Sequence, residues 1–180
     1  MKKIPTIFLR DEQDRKYVIN QINPECQWVF DGKGIATIKY DGTCVIFDGE
    51  NWFARREIKA GGSTPDEFIL VNYDEVTGKT IGWVPIETSS FYKYFLEAYD
   101  SEYPYRGEGT YELCGPKING NPEGFTQHVL VPHGWDQVEI EDRSYEGIRN
   151  FLLNTLDKGH EGIVFWYGTQ KAKIKRRDFV

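Results

Sequence analysis

The chain is poor in sulfur, with three cysteines and one methionine in 180 residues. Cys26, Cys44 and Cys114 are odd in number, widely spaced and outside any C-x-x-C pair, which argues against a disulfide framework and against a zinc ribbon. Reduced, partly buried thiols are expected instead. Long apolar runs are also missing. No stretch approaches the roughly twenty residues that a membrane helix needs, and residues 1–6 do not lead into an apolar leader. We therefore expect a soluble, cytoplasmic protein with no membrane partner. Nor is positive charge in surplus: 22 Lys and Arg against 28 Asp and Glu leave a net charge of -6. A broad, sequence-blind grip on long nucleic acid needs a basic surface and is disfavoured. A local basic cluster such as residues 171–177 could still hold a nucleotide or a nucleic-acid end. Internal repeats and low-complexity segments are absent.

Aromatic residues are plentiful. Trp, Tyr and Phe make up 15% of the chain, which favours a β-rich fold with a substantial core. The length suits one domain covering residues 1–180. Alternating and apolar runs predict strands at 4–9, 17–19 and 35–39, a hairpin of 43–48 with 51–57, a pair 68–72 and 79–84, and further strands at 109–114, 127–131, 163–167 and 171–175. A helix is expected over 144–157, with Ser144 as N-cap, Ile148, Phe151, Leu152 and Leu156 as its core stripe and Gly159 just past its end. A second should run from Ser89 or Ser90 to Tyr99, packing through Phe91, Phe95, Leu96 and Tyr99. The turn-rich run 115–124 reads as an ordered loop. His128 and His133 read as hydrogen-bonded structural residues, since no Cys, His or carboxylate lies at metal-ligand spacing from them.

The most informative stretch is residues 35–43, Ile-Ala-Thr-Ile-Lys-Tyr-Asp-Gly-Thr. Lys39 ends an apolar strand that breaks at Asp41-Gly42, an unusual place for lysine, which is rarely buried without a partner. Lys39 and Asp41 would share a face, and Gly42 would let the backbone come close to a ligand. Taken alone, this is more simply a Lys-Asp pair beside a hairpin turn. Adjacent Arg55 and Arg56 point to opposite faces of their strand, so no more than one can share a site with Lys39. Glu112 falls on the polar face of a half-buried strand, Glu161-Gly162 opens a strongly apolar one, and Lys171, Lys173 and Lys175 share a face opposite Ala172 and Ile174.

In chain order these features resemble the covalent nucleotidyltransferase superfamily of ATP-dependent DNA ligases, RNA ligases and capping guanylyltransferases. Lys39-Tyr40-Asp41-Gly42 is similar to its motif I, Arg55 or Arg56 to its next arginine motif, Glu112 to motif III, Glu161-Gly162-Ile163-Val164 to motif IV and Lys173-Ile174-Lys175 to motif V. Within the superfamily the chain most resembles the small 5′-to-3′ RNA ligases that include a vertebrate cytosolic member. The shared segments are Lys39 to Cys44, Gly82-Trp83-Val84-Pro85, Tyr111-Glu112-Leu113, Asn119-Gly120-Asn121-Pro122 and Pro132-His133-Gly134.

The resemblance implies an α+β, ATP-grasp-like nucleotidyltransferase domain of two packed antiparallel sheets with flanking helices and no C-terminal OB domain. It implies a monomeric ATP-dependent RNA ligase that joins RNA 3′-hydroxyl and 5′-phosphate ends. Lys39 would take AMP from ATP as a lysyl-AMP, helped by Lys173 and Lys175, which with Mg²⁺ or Mn²⁺ would also favour its uncharged form. Glu161, and secondarily Asp41, would serve the metal. Glu112 and Arg55 or Arg56 would contact ribose, and Thr37 adenine, with Phe125 or Trp135 among the candidates to stack on the base. The alternatives are a guanylyltransferase on the same scaffold and a non-catalytic binder of nucleotides or RNA ends.

Overall fold

The structure, a computed structural model, describes residues 4–101 and 107–180. Residues 4–40 carry strands β1 (Phe8–Arg10) and β2 (Val18–Ile22), the single-turn helix α1 (Gln27–Phe30) and strand β3 (Ile35–Lys39). Residues 41–133 carry β4 (Thr43–Phe47), β5 (Trp52–Ile58), β6 (Ile69–Asp74), β7 (Lys79–Pro85), helix α2 (Tyr92–Tyr99), β8 (Gly109–Cys114) and β9 (Val129–Pro132). Residues 134–180 add β10 (Gln137–Val138), helix α3 (Tyr145–Asn150), β11 (Gly162–Tyr167) and β12 (Gln170–Lys175). Among the described residues no helix is long and apolar enough to cross a membrane.

The chain divides into two compact units. One is formed by residues 4–40 together with 134–180, the other by 41–133. The first contains an antiparallel four-stranded sheet in the order β10-β3-β11-β12 and the small β1-β2 ribbon. Its core is built from Ile7, Phe8, Val29, Ala36, Ile148, Leu152, Ile163, Phe165, Ala172 and Ile174, among others. The second contains a six-stranded antiparallel sheet in the order β6-β7-β5-β4-β8-β9. Val45, Ala54, Val84, Phe95, Ala98, Tyr111, Leu113 and Leu130 fill its core. The molecule is thus α+β with two principal antiparallel sheets, as the alternating runs suggest.

Three local expectations change on folding. The strand expected at 4–9 splits: Ile7 N–H donates to Lys173 O and Lys173 N–H to Pro5 O beside β12, while β1 starts only at Phe8. On α2 it is Phe95 and Ala98 that are buried, whereas Leu96 and Tyr99 are exposed. The helix from Ser144, whose Oγ accepts the Gly147 N–H at 3.1 Å, passes through α3 into a wider π turn over Phe151–Thr155. Gly159 does not end it. Instead the Arg176 guanidinium donates to the carbonyls of Leu153, Leu156 and Asp157 at 2.8–3.3 Å, so a cation satisfies the orphan C-terminal groups.

Candidate functional site

In the four-stranded sheet, β3, β11 and β12 lie side by side, and their register stacks three rows across it. The rows are Lys39–Gly162–Lys175, Thr37–Val164–Lys173 and Ile35–Trp166–Lys171. Alternate strand residues point the same way, so all nine share one face. The residues between them, Ala36, Ile163, Phe165, Ala172 and Ile174, are core. Gly162 is required where it stands, because a Cβ there would lie 2.2 Å from Ile174 O.

Lys39 and Lys175 flank Gly162, and both ammonium groups reach the Glu161 carboxylate. Lys39 Nζ is 2.5 Å from Oε2, and Lys175 Nζ donates to Oε1. Arg177 approaches the same Oε1 at 3.7 Å. Backbone bonds hold Glu161 there: its N–H donates to Lys39 O at 3.1 Å and its carbonyl accepts from Arg176 N–H at 2.9 Å. Burial pushes the Glu161 carboxyl upward, but Lys39 and Lys175 outweigh it and hold the group below its ordinary value.

Lys173 is in the opposite position. Burial, reinforced by Lys175 and Lys39, lowers its pKa from 10.5 to about 8 against the weaker pull of Glu161 and Asp178. The sequence points to Lys39 as the lysine that its surroundings discharge. In the folded chain Lys39 faces the Glu161 carboxylate, and Lys173 is pushed toward the neutral form. Thr37 is 1% exposed. Its hydroxyl donates to Val164 O at 3.3 Å and accepts from Trp166 Nε1 at 2.7 Å.

The remaining candidates belong to the other unit. On β8, Tyr111 and Leu113 face the core, so Glu112 takes the opposite face. That face is not the solvated one the sequence suggests, since Glu112 is 8% exposed. Its Oε1 accepts the Gly42 N–H at 3.1 Å, and its Oε2 lies 2.7 Å from His133 Nε2. His133 Nδ1 is 2.9 Å from Thr110 Oγ1. Cys44 stands directly across from Glu112 on β4, and ligand atoms of Cys44, Glu112 and His133 all lie within 4.8 Å of one another. Sequence spacing could not show this group, because strands β4 and β8 and the turn after β9 assemble it.

On β5, Ala54 is core, so Arg55 takes the same face as Cys44 and Glu112 while Arg56 takes the other. Arg55 is half-buried and Arg56 exposed. Asp41 Oδ1 accepts from Asn119 Nδ2 at 3.1 Å, and Asp41 N–H donates to Glu123 Oε1 at 2.6 Å. The close approach that Gly42 allows is to β8: a Cβ would sit 2.3 Å from Leu113 O. The 115–124 loop is ordered by turns from Gly115 to Ile118, Ile118 to Asn121 and Asn121 to Gly124. His128 is a satisfied structural residue, its Nδ1 2.6 Å from Glu97 and its Nε2 accepting the Lys117 N–H.

Folding therefore gathers Thr37, Lys39, Lys173 and Lys175 on one sheet with Glu161 just before its strand β11, and Asp41, Arg55, Arg56 and Glu112 in the unit of residues 41–133. No protein-family model matches the chain, and no curated protein matches it.

Proposed function

We propose that the protein is an ATP-dependent RNA ligase of the covalent nucleotidyltransferase type, with Lys39 as the residue that carries AMP. The observation that carries this reading is the convergence of Lys39 and Lys175 on one mostly buried carboxylate, Glu161, with Lys173 one strand step away on the same face. These residues belong, in chain order, to three of the five motifs of the resemblance, those at Lys39, Glu161 and Lys173-Ile174-Lys175. They offer a nucleophile, two cations for phosphate charge and an acid for a metal.

In the first step the Lys39 Nζ lone pair forms a bond to the α-phosphorus of ATP, the bond to pyrophosphate breaks, and the amine proton leaves to solvent. An oxygen of an RNA 5′-phosphate then takes the AMP and releases the lysine, and a 3′-hydroxyl displaces AMP to seal the strand. Lys173 and Lys175 face the charge that builds on the α-phosphate oxygens. Attack needs an uncharged amine. In the free protein Lys39 is ion-paired, so phosphate binding to Lys173 and Lys175 has to loosen the Glu161 contact before Lys39 can react.

Glu161 offers the oxygen donors that Mg²⁺ or Mn²⁺ takes. The cations around it, Lys39, Lys175 and Lys173, disfavour a bare divalent ion, so the site fits a metal that arrives with a triphosphate. Such a metal supplies charge neutralisation for the phosphates.

The test is incubation of the purified chain with α-labelled ATP or GTP and Mg²⁺, followed by joining assays on 5′-phosphorylated RNA and DNA. Covalent label from ATP, absent in Lys39→Ala, is expected. Label from GTP alone would make the protein a guanylyltransferase, and no label from either nucleotide would leave a non-catalytic binder.

A further inference from the structure

A cavity of about 590 Å³ opens in the unit formed by residues 4–40 and 134–180. Six cationic side chains line it: Arg10, Arg15, Lys16, Lys173, Lys175 and Arg177. One acidic side chain, Asp178, shares the wall with the ring of Tyr17 and with Val180. We propose that this cavity receives the phosphate-bearing 5′ end of an RNA strand. The assignment rests on the ligase reading above and names where that reaction's second substrate enters.

Charge is the first argument. The chain as a whole has six more acidic than basic side chains, so six cationic side chains around one acidic one is a strong local reversal. Two of the six are satisfied within the protein: Arg10 bonds Asp178 at 2.9 Å, and Lys175 bonds Glu161. Arg177 has only a 3.7 Å approach to Glu161 and projects into solvent. Arg15, Lys16 and Lys173 make no salt bridge among the described residues. Unbalanced cations that converge on a concave surface attract an anion of more than one charge, and a terminal phosphate ester is such an anion.

Position is the second argument. Lys173 and Lys175 line the cavity and also flank the Lys39–Glu161 pair, through the register of β3, β11 and β12. An anion in the cavity would therefore sit beside the side chains that surround the nucleophile, and its charge would relieve the crowding of Lys173 by Lys39 and Lys175. The walls are fixed. Lys173 is held by backbone bonds to Pro5 and Ile7, Arg10 donates to Lys16 O at 2.7 Å, and Lys175 N–H donates to Asp178 Oδ2 at 2.8 Å. Tyr17, 39% exposed, presents a ring on which a terminal base can stack. A cavity of this volume has room for a nucleotide monophosphate as well as for a lone phosphate.

The experiment uses the full chain and a short single-stranded RNA labelled at its 3′ end, with either a 5′-phosphate or a 5′-hydroxyl, and reads binding by fluorescence anisotropy. The wild type is expected to favour the 5′-phosphate. The double variant Arg15→Glu, Lys16→Glu alters two exposed side chains and should lose about tenfold or more of affinity for the phosphorylated strand, with most of its preference. Equal weakening toward both RNAs would mean a general attraction and would overturn the assignment. So would binding of free pyrophosphate without preference for the phosphorylated RNA, which would give the cavity to the leaving group. The two readings fail separately. A wild type that prefers 5′-phosphate but never takes label from ATP keeps the cavity and loses the ligase; one that labels without any preference loses the cavity alone.

Discussion

Replacing Glu161 by glutamine removes one charge and almost no volume, so its effect isolates the electrostatics of the cluster. Glu161 is 10% exposed, and the two lysines bonded to it are 21% and 15% exposed. Leaving one side of a buried ion pair unmatched costs about 3–5 kcal/mol. Here water reaches the lysines in part, and the amide oxygen still accepts a hydrogen bond. We therefore expect Glu161→Gln to lose about 2–4 kcal/mol at pH 7. Against a total of roughly 5–15 kcal/mol for a protein of this kind, that is a clear shift of the urea midpoint at unchanged slope.

The pH dependence sharpens the test. The Glu161 carboxyl sits below its ordinary value of 4.5, so its stabilisation is complete above that pH and is lost as pH falls through its folded value. Wild type and variant should therefore converge in acid. A variant within about 0.5 kcal/mol of wild type at pH 7, or a deficit that persists undiminished at pH 3, would refute the reasoning.

Lys173 gives a second signature: its folded pKa of about 8 lies below 10.5, so the unfolded chain binds more protons between these values and stability must rise with pH across that window. The gain is up to roughly 3 kcal/mol, and pH-resolved denaturation of Lys173→Met should show a flatter slope there. Gly162→Ala would force a Cβ to 2.2 Å from Ile174 O, and a loss of at least about 2 kcal/mol is expected in chemical denaturation. Arg176→Ala strands three carbonyls at the end of the 145–155 helix, for a loss of about 1–3 kcal/mol and faster amide exchange in its last turn.

Much of the site-bearing sheet was legible because strand periodicity is strict. The alternation of Lys171, Lys173 and Lys175 against Ala172 and Ile174, and the apolar run after Gly162, placed those lysines on one face before any pairing was known. The Glu161 contact to Lys39 was not legible, because it depends on register between strands more than a hundred residues apart. Proximity to other cations could be guessed, but the pairing of Glu161 with both Lys39 and Lys175 could not. Arg55 and Arg56 were separable only once the pairing of β4 with β5 and β8 gave each strand face an address. Helix ends were the weakest reading: Gly159 looks like a stop signal, yet the stop comes from Arg176, seventeen residues further on.

The interleaving of β3 with β11 and β12 also constrains how the molecule is born. During synthesis Lys39 emerges with its strand long before Glu161 and Lys175 exist, while every strand of the 41–133 sheet arrives in one continuous stretch. That inner stretch has all its strands in hand early, whereas β3 lacks its sheet neighbours until residues 137–167 have been made. Until residues 161–175 have been made, nothing places Glu161 and Lys175 beside Lys39.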